Sequence, residues 1–93
     1  MYHAVLTEGE HIATVEADDP DEAVEATEHG QTAREATDAE AFRYLVDQTN
    51  LSYAQLGEQL GTSAAFVGHK VRGDRSVRPM DVMALERFLQ LQE

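Results

Sequence analysis

The chain has 93 residues, no cysteine and a formal net charge of -11 at pH 7, so it is one domain, or one with a small appendage, without disulfides or a thiolate metal site. About 60 to 65% of the unfolded surface is buried at this length, which gives modest stability unless copies associate. No apolar run reaches a membrane span and MYHAVLTEGE lacks the basic and apolar blocks of a signal peptide, so a cytoplasmic location is expected.

Residues 2–7 (YHAVLT) and 11–17 (HIATVEA) flank Glu8-Gly9-Glu10 and are rich in Val, Ile, Thr and Tyr, which predicts a β-hairpin. Val5, Leu6, Ile12 and Val15 are its expected buried residues, and His3 and His11 are expected to meet as a surface cross-strand pair. A two-stranded hairpin is marginal alone and needs a helix or a second copy against one face. The helix follows at once: Asp19 caps it, Pro20 suits its first position, Glu22 completes a capping box, and Gly30 ends it. Ala23, Val24 and Thr27 form its narrow apolar side. Residues 1–30 therefore read as an acidic ββα unit, either a cap on the rest of the chain or a dimerisation or partner-binding surface.

Residues 31–37 (QTAREAT) are polar and read as a linker or as the first turns of the next helix. Thr37 with Glu40 forms a capping box for a helix to about residue 49, with Phe42, Leu45, Val46 and Thr49 on one face. Ser52 with Gln55 caps the next short helix, whose Leu56 and Leu60 face inward. Gly61 suits a positive φ at its end, and Ser63 offers a side-chain oxygen to the amides of a helix over 64–72. Asp74-Arg75-Ser76-Val77-Arg78 is a cation-rich loop, and Pro79 opens a last helix. Met80, Val82 or Met83, Leu85, Phe88, Leu89 and Leu91 are its expected buried residues, and its face is broad enough to leave part for a second subunit.

The stretch 51–73, LSYAQLGEQLGTSAAFVGHKVRG, carries a resemblance. Leu56-Gly57, Leu60-Gly61, Thr62-Ser63, Val67 and Arg72-Gly73 fall without gaps on the helix-turn-helix of the phage Cro and repressor-like (XRE-type) regulators. In that family a leucine and a small residue precede an apolar residue with glycine, and a basic residue with glycine closes the second helix. The resemblance covers about 38–93. Three features depart: Thr62 stands where Val or Ile is usual, Lys70 stands where an apolar residue is common, and 73–79 is longer than usual. The fold implied is α+β, a small N-terminal ββα unit followed by a four-helix lambda-repressor-like helix-turn-helix bundle.

The resemblance implies a sequence-specific regulator that binds double-stranded DNA as a homodimer on a two-fold symmetric operator, with 64–72 as the recognition helix. With Val67 and Val71 inward, base-edge contacts fall on Ser63, Ala64, Ala65, Gly68, His69 and Arg72. Arg72 would meet a guanine edge or a phosphate, the alanines thymine methyls, and Gly68 would permit close approach. Ser63 and Gln55 are expected phosphate contacts near helix N-termini. Arg75 and Arg78 would grip the backbone from the loop, and Lys70 completes the candidate DNA contacts.

Evenly spread, a charge of -11 would oppose nucleic acid, since phosphate contacts supply much of the affinity. Residues 1–49 hold thirteen acids against Arg34 and Arg43, whereas 50–93 hold five acids against five cations, four of those within 69–78. The alternative is a protein-interaction module, an antitoxin or phage-encoded inhibitor whose acidic half binds a protein partner. His3, His11, His29 and His69 are scattered, so neither metal nor cofactor is expected. Without a nucleophile turn or a glycine-rich phosphate loop, an enzyme is not expected either.

Overall fold

The computed structural model describes residues 1–91, and it is an α+β chain of three strands and five helices. It divides into two compact units, Met1–Ala41 and Phe42–Glu93.

In the first unit, β1 (Tyr2–Thr7) is the central strand of an antiparallel sheet, between β2 (Glu10–Glu16) and β3 (Thr32–Glu35). Glu8 and Gly9 turn the hairpin with φ of 55° and 80°, the positive pair that a two-residue primed turn requires. Val5 pairs with Ala13 but Leu6 pairs with His11, so the register skips Ile12. That β-bulge explains the broken apolar alternation. Ile12, expected in the core, is 44% exposed.

The polar run expected to be a linker or helix extension contains β3 instead, which pairs Val5 with Ala33 and Leu6 with Thr32. Its four residues sit at a sheet edge, where only Ala33 packs against the core cluster and polar side chains face water. The supply of backbone partners from β1 decided the conformation, and no apolar pattern was needed.

Helix α1 (Pro20–Glu25) starts as expected: Asp19 caps it and accepts a 2.8 Å hydrogen bond from the Glu22 amide. Glu22 reaches back to the amide of Asp18 rather than of the cap. The helix stops at Glu25, short of Gly30, because Gly30 has a different task. A Cβ there would lie 2.6 Å from Val5 Cγ1. The chain crosses the sheet so closely that only glycine fits, and there Gln31 donates to the Leu6 carbonyl while Thr7 donates to that of His29.

Val5, Ala17 and Ala23 form the core of this unit, with Val15 and Ala33 packed against it. His3 lies opposite Val15, not His11, and is 2% exposed with an unpartnered Nδ1. The expected surface histidine pair is therefore absent.

Helix α2 (Asp38–Thr49) begins in the first unit and continues into the second. Thr37 and Glu40 form its capping box, each side chain accepting from the other's amide. Phe42, Leu45 and Val46 are buried, and α3 (Tyr53–Leu60), α4 (Ala64–Arg72) and α5 (Pro79–Leu91) add Leu56, Val67, Val82 and Leu85. On α5 Met80 and Leu91, expected inside, are exposed, and of the alternatives Val82 and Met83 it is Val82 that takes the interior place. No described helix is long and apolar enough to cross a membrane.

Candidate functional site

The turn between α3 and α4 is built from local chemistry. Ser52 and Gln55 cap α3 reciprocally, and Gly61, at φ 74°, ends it. The Thr62 amide reaches the Gly57 carbonyl at 2.7 Å, closing a Schellman-type stop. Ser63 then accepts from the Phe66 amide and starts α4. The small Gly57 has a steric reason, since a Cβ there would stand 2.7 Å from the Ser63 carbonyl carbon and 2.8 Å from its oxygen. The chain entering α4 lies directly on that turn of α3, and this fixes how closely the two helices pack.

Ser63, Ala64 and Ala65 are exposed at the start of α4, and Arg72 is exposed at its end. Gly68, expected in this outward set, is buried: Arg72 Nη1 and the Tyr53 ring would lie 3.0 and 3.4 Å from an added Cβ. Its small size is used within the unit, to let Tyr53 and the folded-back Arg72 side chain lie over α4. His69 is half-buried, with Nδ1 3.2 Å from Asp74 Oδ2, and Arg72 Nε stands 3.5 Å from the same oxygen. The His69 hydrogen bond, with that of Arg72 second, lowers the Asp74 carboxyl below its ordinary range.

Lys70 is the clear correction. Expected among the DNA contacts, it is 6% exposed, and its ammonium donates to Asp81 Oδ2 and to the Ser76 carbonyl. Nζ also sits 4.7 Å from the centroid of the Phe66 ring, a cation–π distance. Asp81 Oδ2 in turn accepts from the Arg78 amide at 2.9 Å and caps α5. Burial pushes the Asp81 carboxyl up, but the hydrogen bonds from Lys70 and the Arg78 amide outweigh it and hold the group below the usual carboxylate range. Lys70 is thus an internal strut. It ties α4 to the carbonyl and cap on either side of Val77, and so holds the loop that carries Arg75 and Arg78.

Arg75 and Arg78 are exposed, and neither side chain has an ion-pair partner among the described residues. Gln55 is exposed, but its Oε1 accepts from the Ser52 amide, which leaves only the amide nitrogen to face outward. Two contributors went unnoticed in the sequence. Arg43 on α2 donates to the Val71 carbonyl at 2.8 Å, satisfying an end carbonyl of α4 with a cation where the helix dipole favours one. Tyr53, the first residue of α3, covers Gly68. Helical spacing within α4 carries no signal for either, because both come from other helices.

The arrangement is a short helix whose N-terminal turn is small, exposed and hydrogen-bond capable, bordered at its far end by Arg72 and the loop arginines. Such a surface can approach a polyanion closely and offer it cations on one side. Comparison with protein-family models, with curated proteins and with solved structures returns no match.

Proposed function

We propose that unit 42–93 is a Cro and repressor-like helix-turn-helix domain, in a four-helix lambda-repressor-like bundle, and that the chain is a sequence-specific DNA-binding regulator acting as a homodimer. The observation that carries this reading is the exposed surface of α4. Ser63, Ala64 and Ala65 open it without bulk, Arg72 closes it, and Arg75 and Arg78, without an ion-pair partner among the described residues, follow in the next loop. Small residues at the start of a recognition helix let it enter a major groove, where Arg72 reads a base edge or a phosphate. The loop arginines hold phosphates, and Lys70 serves from inside by fixing that loop. Repression would follow from occupying a promoter.

Selection from a random duplex pool, followed by a salt titration of the best sequence, tests this. Enrichment of a palindrome with half-sites about one helical turn apart is expected. Arg72→Ala should weaken binding and relax selectivity, while Arg75→Ala and Arg78→Ala should each lower the slope of log affinity against log salt by about one. No enrichment at low salt sinks the proposal.

A second reading rests on the first unit, where Asp18, Asp19, Asp21, Glu22, Glu25 and Glu28 are all exposed within eleven residues. As an antitoxin or inhibitor, the chain would use this surface to neutralise a basic protein. Neutralising Glu22, Glu25 and Glu28 would then abolish that association and leave DNA binding intact.

A further inference from the structure

Two neighbouring cavities lie beside the loop that follows α4. The larger, of about 520 Å³, is lined by Phe66, Lys70, Arg75, Arg78, Met80 and Asp81. That volume is ordinary for a small-molecule site. The second, of about 250 Å³, adds Phe42, Leu60, Val67 and Ala84, while Phe66 and Asp81 form a wall common to both. Lys70 and Asp81 neutralise each other across that wall. The net charge of the larger cavity therefore comes from Arg75 and Arg78, neither in an ion pair among the described residues. The second cavity is mainly apolar, and two of its walls, Phe42 and Val67, belong to the core.

The three departures from the helix-turn-helix resemblance converge here. Thr62 lines the second cavity, Lys70 lines the first, and the long segment 73–79 brings Arg75, Ser76 and Arg78 to its wall. Duplex DNA accounts for only part of this. A backbone phosphate can use the two arginines from outside, but it has no apolar body to place behind them.

We propose that these cavities take a small amphipathic anion, an apolar body with one terminal carboxylate or phosphate, which competes with duplex DNA for Arg75 and Arg78. The head group pairs with the guanidinium groups, whose planar fork suits such oxyanions. The body lies against Phe66 and Met80 and reaches toward Leu60 and Val67 in the second cavity. A chain with this site releases its duplex when the anion accumulates. That competition rests on the DNA reading above, whereas binding of the anion is measurable without DNA.

Cinnamate and phenyl phosphate are suitable probes, with cinnamamide as the uncharged body and inorganic phosphate as the bare head. Calorimetry of the full chain should give dissociation near about 1 mM for the better of the two probes, which identifies the head group. Cinnamamide and inorganic phosphate should each bind at least tenfold more weakly. Amide shifts in a nitrogen-15 spectrum should concentrate at Leu60, Phe66, Val67 and Ser76. Arg75→Gln with Arg78→Gln should weaken the better probe at least tenfold, and because both side chains are exposed, the melting temperature should hold. Arg72→Gln, which removes an exposed cation outside the cavities, should leave probe binding unchanged. No binding by either probe, equal binding by cinnamamide, or equal binding by inorganic phosphate, an adventitious ion only, would each overturn the proposal. So would shifts concentrated at Arg87 and Gln90, which line another groove along α5. A probe that binds as expected should also displace the selected duplex, against matched sodium chloride. Failure to displace it overturns the competition and leaves the DNA reading intact, whereas a chain that binds the probe in these cavities and no duplex keeps the site and sinks the regulator.

Discussion

The two units handle charge in opposite ways. Unit 1–41 leaves its excess of acids in water and commits only Glu40 to an arginine, Arg34. Unit 42–93 is neutral by count, but two of its acids are committed internally, Asp81 to Lys70 and Asp74 to His69 and Arg72. Of its remaining cations, Arg75 and Arg78 stand beside α4 without an ion-pair partner among the described residues, although the chain as a whole is strongly acidic. The lesson is that net charge describes how a protein repels or attracts at a distance, whereas a binding face is decided by which charges are already paired within a few ångströms.

The most severe way to break the comparison is to strike each unit at its tightest backbone approach. Gly57→Ala places a methyl 2.7 Å from the Ser63 carbonyl carbon, and backbone cannot rotate away as a side chain can. A loss of about 3 kcal/mol is expected, at the upper end for overpacking, and better helix propensity offsets less than about 1 kcal/mol of it. Gly30→Ala meets Val5 Cγ1 at 2.6 Å, a side-chain atom in a stiff β-branched residue, and should cost about 2 kcal/mol. Thermal unfolding gives the totals and residue-resolved hydrogen exchange gives their place. Gly57→Ala should loosen α3 and α4 and leave the sheet protected, with Gly30→Ala doing the converse. Equal loosening everywhere would break the division into two units.

The second comparison is between a buried cation and exposed ones. Lys70→Ala leaves Asp81 partly buried without its partner and should destabilise the chain by about 2 to 3 kcal/mol, less than a wholly buried pair because Asp81 keeps some contact with water. Lys70→Met with Asp81→Asn keeps the stem volume and the cap on Arg78, and should recover most of that loss. Denaturation midpoints in urea decide it. A Lys70→Ala variant as stable as Arg75→Ala would return Lys70 to the surface cations.

What was legible in the sequence follows from the range of each interaction. The caps Asp19, Thr37, Ser52 and Ser63, and the positive-φ stops Gly61 and Gly73, use partners within about four residues, so the residues themselves announce them. The exposed Ser63, Ala64, Ala65 and Arg72 were likewise readable from helical spacing. Lys70 was not, because Asp81 lies eleven residues further on. Gly68 was misread because its cover, Tyr53, belongs to another helix. Strand β3 left no apolar signature, since an edge strand with one half-buried alanine is defined by the backbone groups of its neighbour. The outward Met80 and Leu91 show the same limit: apolar spacing marks two faces of α5 without saying which one the core takes, and it left Val82 and Met83 as alternatives.

The mildest prediction concerns Glu40, which among the described residues is the acid of the first unit that pairs with an arginine. Glu40 Oε1 and Oε2 accept from Arg34 at 2.7 and 2.9 Å, and Oε1 also accepts from the Thr37 amide in the capping box. The hydrogen bond from Arg34 is the main cause that lowers the Glu40 carboxyl to about 2, against an opposing push from partial burial. A carboxyl whose folded value lies below its unfolded one binds its proton more readily when unfolded. Its stabilising effect is therefore complete above the unfolded value, near 4.5, and is lost as pH falls toward 2. Because Arg34 is half exposed to solvent, the effect should be about 1 to 2 kcal/mol, below what the shift alone would suggest. Glu40→Gln should lower stability by that amount at pH 7 and by progressively less between pH 4.5 and 2, with the native and variant curves converging at the acid end. Parallel curves across that window would mean that the pair contributes packing and a cap, and that the first unit holds all of its acids for solvent or for a partner.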